Sequence, residues 1–394
     1  MKSRIVPSSA RSGFALILVM LTVIALTALV ASFAISMNTE IRLARNTDYD
    51  EKLEWMGRSG IEEARCLLAN KSPEQRNIDA LNQYWAGGPN IGSNDLSFMI
   101  PLKDEPMGEG SRTLVITDME RKWDINIVAG GTGGPPQKDV LQKAIQVIGI
   151  TDSGLASTIE DSLVDWCRPN GTAASFSGAN SEYYNHLNPP YYCKCGQIDD
   201  LSELLLIKGI TTEIYWGSNS TNHPVSAYQQ HGGGSFSQPI SRNGMTGNKD
   251  EPVYPVGMEQ LFSPLGGKLN INTASALTLQ LIPGMEESTA ARIIQQRSGP
   301  DGIDGTDDDA PFQNIGEING GLPGGPAPGN LPGGPPAGVA AQGMAAYIDV
   351  RSYVFKVKVE TQINGYKRNF YGIVSRPGQG GNGQQLKCVK FYWE

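Results

Sequence analysis

The chain has 394 residues, 39% of them hydrophobic, with 47 glycines, 25 prolines and a formal net charge of −8. That length allows two domains beside a membrane segment, and the apolar share is enough for buried cores, which excludes a wholly disordered chain despite the Gly and Pro content. The acidic balance argues against nucleic acid as a partner, since it is bound through clustered Lys and Arg.

Phe14 to Met37 is a run of 24 residues without charge, whose only polar members are Thr22, Thr27, Ser32 and Ser36. A helix there, at ~1.5 Å per residue, spans a bilayer core of ~30 Å. Lys2, Arg4 and Arg11 precede it with no acidic residue, so the positive-inside bias keeps residues 1–13 cytoplasmic and sends the rest across. A secretory signal has an apolar core of ~7 to 15 residues followed by a small-residue cleavage site; here the run is longer and Gly13 lies before it. An ordinary single-span anchor is the competing reading. The helix is expected to continue to about Asn70, because Leu53, Met56, Gly60, Ile61, Ala64, Leu67 and Leu68 recur at spacings of three and four. Its second half is amphipathic and must lie against a sheet.

Strand signals fall in two groups far apart. Leu96 to Leu102 and Arg112 to Met119 flank a turn-rich Asp104 to Gly110. Tyr347 to Ile363 alternates, Asn364-Gly365 is a two-residue hairpin signal, Tyr366 to Val374 returns, and Leu386 to Trp393 supplies a last strand. The interval between the groups reads as an inserted, mainly helical domain. It starts after Trp123-Asp124-Ile125-Asn126-Ile127, with helices expected at Lys138 to Val147, Gly154 to Trp166 and Asp200 to Ile207, the last capped by Gly209.

Within the insert, Lys268 to Arg297 reads as a helix opened by Asn272 or Thr273, a hairpin at Ile282-Pro283-Gly284-Met285, and a second helix from Glu287 to Arg297. This resembles a helix-hairpin-helix, a module that in other proteins meets phosphates, but here Glu286 and Glu287 follow the hairpin. A structural packing role is expected instead. Asp301, Asp304, Asp307, Asp308 and Asp309 crowd a glycine-bearing loop at 298–312. Such a loop can wrap oxygen ligands around calcium or stand as a solvated acidic turn. Gly320 to Gly343 reads as a linker or surface loop.

Five cysteines, at 66, 167, 193, 195 and 388, would face an oxidising compartment in this topology. Cys193 and Cys195 are too close for an easy mutual bridge, so either of them with Cys167 is a candidate disulfide, with a zinc site as the sharper alternative. His186, His223 and His231 sit in polar, turn-rich context, and Asp161 and Asp165 lie one helical turn apart. None of these builds a catalytic motif, and no enzyme activity is expected.

The basic leader ending in Gly13, then Phe14 and the apolar helix, resembles the class III leader of type IV pilins and type II secretion pseudopilins. The resemblance implies cleavage after Gly13 by a membrane prepilin peptidase and methylation of Phe14. Losing the leader removes three positive charges and leaves −11. Most members of that family carry Glu as the fifth mature residue, where this chain has Leu18. A carboxylate in the apolar layer needs a partner in the subunit above it, so Leu18 suits a tip subunit and resembles the K-type minor pseudopilins. LVDWCRPNG and GANSEYYNHLNPPYYCKCGQIDDLSELLLIKGI are similar to that family's run, except that Cys167-Arg168-Pro169-Asn170 stands where members often have further Asp.

The resemblance implies an α+β fold: a long N-terminal helix packed on an antiparallel sheet, with a large α-helical domain inserted between strands. The divisions are a leader at 1–13, a membrane or filament-core helix at 14–37, and the amphipathic helix with first strands at 38–122. The insert follows at 123–318, with its helix-hairpin-helix at 268–297 and acidic loop at 298–312; then come a Gly/Pro loop at 319–346 and final strands at 347–394. It implies a pseudopilus tip subunit that nucleates or caps the filament, anchored in the inner membrane with its C-terminal domain in the periplasm. The implied partners are I- and J-type minor pseudopilins, met through small residues such as Ala25, Ala28 and Ala31, and the peptidase. Calcium is the one cofactor it implies, at the five aspartates. A type IV minor pilin and a membrane-anchored DNA receptor are the alternative functions.

Overall fold

The computed structural model describes residues 12–71, 75–89, 100–169, 175–218, 253–319, 344–377 and 386–393. Its first element, α1 (Ser12–Ala69), is a single helix of 58 residues, about 87 Å long at ~1.5 Å per residue. Two threonines of the apolar half turn their hydroxyls back on the helix, Thr22 to Val19 O and Thr27 to Ile24 O, both at 2.8 Å. That half therefore hides both threonine hydroxyls, and it is exposed throughout. From Leu53 the helix buries Leu53, Met56, Ile61, Ala64, Leu67 and Leu68, the stripe that the three-and-four spacing requires.

The stripe packs on a sheet in the order β1-β2-β7-β8-β9. These strands are β1 (Glu105–Met107), β2 (Gly110–Asp118), β7 (Val354–Ile363), β8 (Tyr366–Ser375) and β9 (Lys387–Trp393), all antiparallel. Alternation puts Phe355, Val357, Val359 and Ile363 inward, with Leu114 and Ile116 beside them in one buried cluster. Two glycines of α1 set the distance to the sheet. A Cβ on Gly57 would stand 2.5 Å from Phe370 Cγ, and one on Gly60 would stand 2.6 Å from Val359 Cγ1. Asn364 and Gly365 both have positive φ, 49° and 84°, as a two-residue hairpin turn needs to match the strand twist.

Between β2 and β7 lies the insert, so the expected α+β architecture with a mainly helical interruption is present. In chain order it holds β3 (Trp123–Asp124), α2 (Ile125–Val128), α3 (Lys138–Ile148), α4 (Ser153–Cys167), α5 (Ser181–Asn185) and a 3₁₀ helix at Leu201–Leu206. Then follow α6 (Thr212–Trp216), α7 (Met258–Leu261), β4 (Phe262–Ser263), β5 (Leu269–Asn270), α8 (Ala276–Leu279), α9 (Glu287–Arg297), α10 (Gly316–Asn319) and β6 (Ile348–Asp349). Its core, around Ile125, Leu141, Ile159, Leu163, Trp166, Tyr184, Phe262, Leu281, Ile293 and Phe312, is a separate cluster from that under α1.

Four expectations change. Leu96 to Met99 fall outside the described residues, Ile100 to Leu102 are not strand, and the first strand is β1, inside the stretch read as turn. Gly108, with φ 60°, closes a tight hairpin between Met107 and Gly110, so the turn needs two residues and the rest can pair. The strand expected from Tyr347 to Ile363 is two strands. Ile348 and Asp349 pair in parallel with Leu269 and Asn270 of the insert, and the ladder with β2 begins at Phe355. The Asp200 helix is 3₁₀, held by a reciprocal cap between Asp200 and Glu203. The first helix of the hairpin module opens at Ser275, whose Oγ accepts from Thr278 N, and runs only four residues; Asn272 instead donates to Phe312 O and accepts from Phe312 N, both at 2.9 Å, and Thr273 is committed to Asp118, as described below.

Candidate functional site: assembly helix and insert seam

The lower half of α1 is a long exposed apolar surface: Phe14 is 71% exposed, Leu18 54% and Phe33 64%. Among the described residues this is the one helix long and apolar enough to cross a membrane. Gly13 lies within the first turn of α1, and residues 1–11 are outside the described residues. Leu18 brings no charge into the stripe, so nothing in this segment demands an ionic partner.

At the other end of α1 the insert is fastened by a buried polar cluster. Arg376 donates through Nη1 to Asp79 Oδ2 at 2.9 Å and through Nη2 to Leu68 O at 3.4 Å. Lys71 pairs with the other Asp79 oxygen, and Ser352 N donates to Oδ2 at 3.0 Å. Beside it, one oxygen of Asp118, at the end of β2, accepts from Thr273 Oγ1 at 2.5 Å, Ser352 Oγ at 2.6 Å and Asn270 Nδ2 at 3.3 Å. Its second oxygen takes Glu120 N at 2.8 Å. Asn270 also donates to Asp79 O at 2.9 Å, and Glu120 accepts from Tyr353 N at 2.9 Å. Residues from the end of α1, the end of β2, the insert and the return to β7 thus share one network, the arrangement that keeps buried polar groups paired.

Burial governs the charges here. It pushes Asp118 up to about 6, and Glu120, which also faces Asp118, up to about 9. Burial likewise takes Asp124, the cap of α2, up to about 6. It pulls Lys71 down to about 8 against the attraction of Asp79. For Asp79 itself burial is outweighed by Lys71 and Arg376, so its carboxyl is held below the ordinary range.

The acidic loop is organised from within. Arg297, 4% exposed, grips Asp304 through Nε at 2.9 Å and Nη2 at 2.7 Å, while Nη1 donates to Ile271 O and Ala274 O. Asp308 accepts from Asp301 N at 3.2 Å, Asp301 from Ile303 N at 2.8 Å, and Asp309 from Gly305 N at 2.7 Å. Asp307 is exposed. Asp304 is neutralised and Asp301, Asp308 and Asp309 cap turns, and no group of three or more metal-ligating side chains occurs among the described residues. In this arrangement they do not fit a calcium ion, which wants 6 to 8 oxygens around one point. Arg297→Ala should cost about 2 kcal/mol, because two buried carbonyls lose their donor; a thermal melt shifted by less than the error of wild type would contradict that assignment.

The remaining candidates stand apart. All five cysteines are free thiols. Cys167 and Cys193 are buried, which pushes both up to about 12, and Cys193 hydrogen-bonds Cys195. No bridge joins Cys167 to either in this arrangement. His186 is exposed with Nδ1 2.6 Å from Glu182 O, and His223, His231 and the tract 320–343 lie outside the described residues. Asp161 accepts from Ser177 N at 3.3 Å, while Asp165 is buried. The turn from Ile282 to Glu286 carries no cation. Sequence reasoning missed the seam altogether. Asp79, Asp118, Asn270, Ser352 and Arg376 look like ordinary polar residues, and the only available signal was Asn270, caught between apolar neighbours.

Comparison with known proteins places these features in one context. Residues 122–217 match the family model described as Type II secretion system (T2SS), protein K. The Type II secretion system protein K of Aeromonas hydrophila is 22% identical over 220 residues, which is 53% of this chain and 62% of that protein. The alignment therefore spans less than two thirds of that relative's length. A crystal structure of the GspK-GspI-GspJ complex from the enterotoxigenic Escherichia coli Type 2 Secretion System contains a chain of the same fold, at TM-score 0.57 and 15% identity. The match covers 89% of this chain and 99% of that one.

Proposed function

We infer that this chain, which belongs to the K-type minor pseudopilins of type II secretion, is the tip subunit of a short periplasmic filament that it starts or caps. The family is a structural component of a secretion machine, and no chemistry is asked of the chain. The observation that carries the tip role is the position of the insert. It is fastened at the Leu68 end of α1, through Arg376, Asp79 and Asn270, and so covers the end of the helix farthest from the membrane. A subunit stacked there would collide with it.

Two further features support the same reading. Leu18 leaves no carboxylate in need of an amino terminus above it, and the bare lower half of α1 can pass from a bilayer into a filament core without breaking a polar contact. The protein would begin in the inner membrane with the insert on the periplasmic side. Its partners would be I- and J-type pseudopilins, since the similar E. coli assembly contains GspI and GspJ.

Processing tests the class. Protein taken from membranes should yield an amino-terminal peptide that begins at methylated Phe14 when the prepilin peptidase is present. A peptide beginning at Met1 in both strains would make the helix a plain anchor and end the tip-subunit reading.

A further inference from the structure

We propose that Cys167 and Cys193 form a disulfide inside the insert, with Cys195 as the thiol through which the oxidising equivalents arrive. This rests on the pseudopilin reading, which puts the insert in an oxidising compartment.

Three thiols lie in a row at the end of α4. Cys193 Sγ donates at 3.8 Å to Trp166 O, the carbonyl just before Cys167, and Gly196 N donates to the same oxygen at 3.2 Å. The segment 193–196 is therefore laid against the last turn of α4. After burial, Cys193 is the neighbour that weighs most on the Cys167 thiol. The chain turns at Cys195, where φ is 54°, and the Cys195 thiol meets that of Cys193. Exposure falls along the row: Cys195 is partly exposed, Cys193 is 8% exposed and Cys167 1%.

That gradient decides the roles. A thiol exchanges with a disulfide only where the donor can reach it. Cys167 is closed off, since even a Cβ added to Gly131 would stand 3.3 Å from the Cys167 Cβ. Cys195 is the member of the row that a donor can touch. Its sulfur attacks a disulfide of the compartment, forming a mixed disulfide and releasing the first donor thiol. Cys193 then gives up its proton, attacks Cys195 Sγ and expels the second donor thiol. The bridge so formed spans a single intervening residue and is strained, so it opens when Cys167 attacks Cys193 Sγ; Cys195 leaves and takes up the proton that Cys167 lost. Cys167 and Cys193 together have given up two electrons and two protons, the donor has become two thiols, and Cys195 ends as it began. Burial supports this end point. It pushes Cys167 and Cys193 up to about 12, so neither thiolate is stabilised, and a dithiol without that help favours its oxidised form.

The test uses the full chain taken from membranes in detergent and alkylated before digestion. Trypsin spares Arg168-Pro169 and cuts after Lys143, Lys194 and Lys208, so residues 144–194 come as one peptide holding Cys167 and Cys193, while 195–208 carries Cys195. Peptide 144–194 should be unalkylated and two hydrogens lighter than its reduced form, with 195–208 alkylated once. A disulfide joining the two peptides overturns the proposal, as does alkylation of all three cysteines. After reduction, oxidised glutathione should restore the bridge; Cys195→Ser should slow that step about tenfold, because the entry thiol is gone, and Cys66→Ser should leave it unchanged. Reoxidation of Cys195→Ser at the wild-type rate removes Cys195 from the route and overturns its role. The amino-terminal peptide of the same digest separates the two readings. Reduced thiols on a chain that begins at Phe14 overturn the bridge and leave the pseudopilin reading standing, whereas reduced thiols on a chain that begins at Met1 overturn both.

Discussion

Asp79→Ala should lower the unfolding free energy by about 3–5 kcal/mol, the cost of leaving buried cations without their counter-ion. Asp79 is wholly buried, between Lys71 and Arg376, and takes Ser352 N as well. Alanine strands two positive charges and one amide in a buried site. The loss is structural as well as energetic, because Arg376 holds Leu68 O and Asp79 O holds Asn270 of the insert. The insert should then come loose from the sheet before either core melts. Asp79→Asn keeps an acceptor for Ser352 N and should cost less. Denaturant titration of the detergent-solubilised chain, followed by proteolysis of the junctions, reads both effects. A change below 1 kcal/mol with unaltered junction cleavage would show that the cluster does not hold the domains together.

The second large effect is a pH profile that slopes the unusual way. Asp118 and Asp124 have folded values raised to about 6, and Glu120 to about 9, all by burial. A raised carboxyl binds its proton more tightly in the folded state, so its contribution is complete below the unfolded value near 4 and is lost as pH rises through the folded value. For Asp118 alone that is on the order of 3 kcal/mol. Lys71, lowered to about 8 by burial, works oppositely and restores stability only from about pH 8 upward. Asp79, held low by Lys71 and Arg376, sets the acid limit, since its contribution disappears when pH falls below the ordinary carboxyl range. The melting temperature should therefore be highest near pH 4 to 5 and decline toward pH 8, and Glu120→Gln should flatten the decline. A melting temperature that rises steadily from pH 5 to 8 would show that these carboxyls are not buried as the seam requires.

What could be read directly from the sequence has a common cause. The apolar run from Phe14, the stripe at Leu53, Met56, Ile61 and Ala64, the turn at Asn364-Gly365 and the helix from Glu287 to Arg297 each depend on residues within a turn or two of one another. Periodicity and backbone preference act at that range, and these elements lie where expected. The broad plan, a sheet interrupted by a helical domain, followed because strand signals stop after Met119 and resume at Tyr347.

Other features were decided in three dimensions. Asn272 or Thr273 was expected to open a helix; Thr273 instead binds Asp118, a residue 155 positions away, and Ser275 caps. Arg297 ends a helix in the sequence, yet it is buried because Ile271 O, Ala274 O and Asp304 close around it. Asp79 and Arg376 are separated by 297 positions. By itself the sequence determined the helix and its apolar face, since hydrophobic spacing is a local property. The tertiary structure alone decided which polar groups lose water together at the seam, since desolvation depends on everything that packs around a residue and not on its neighbours in the chain.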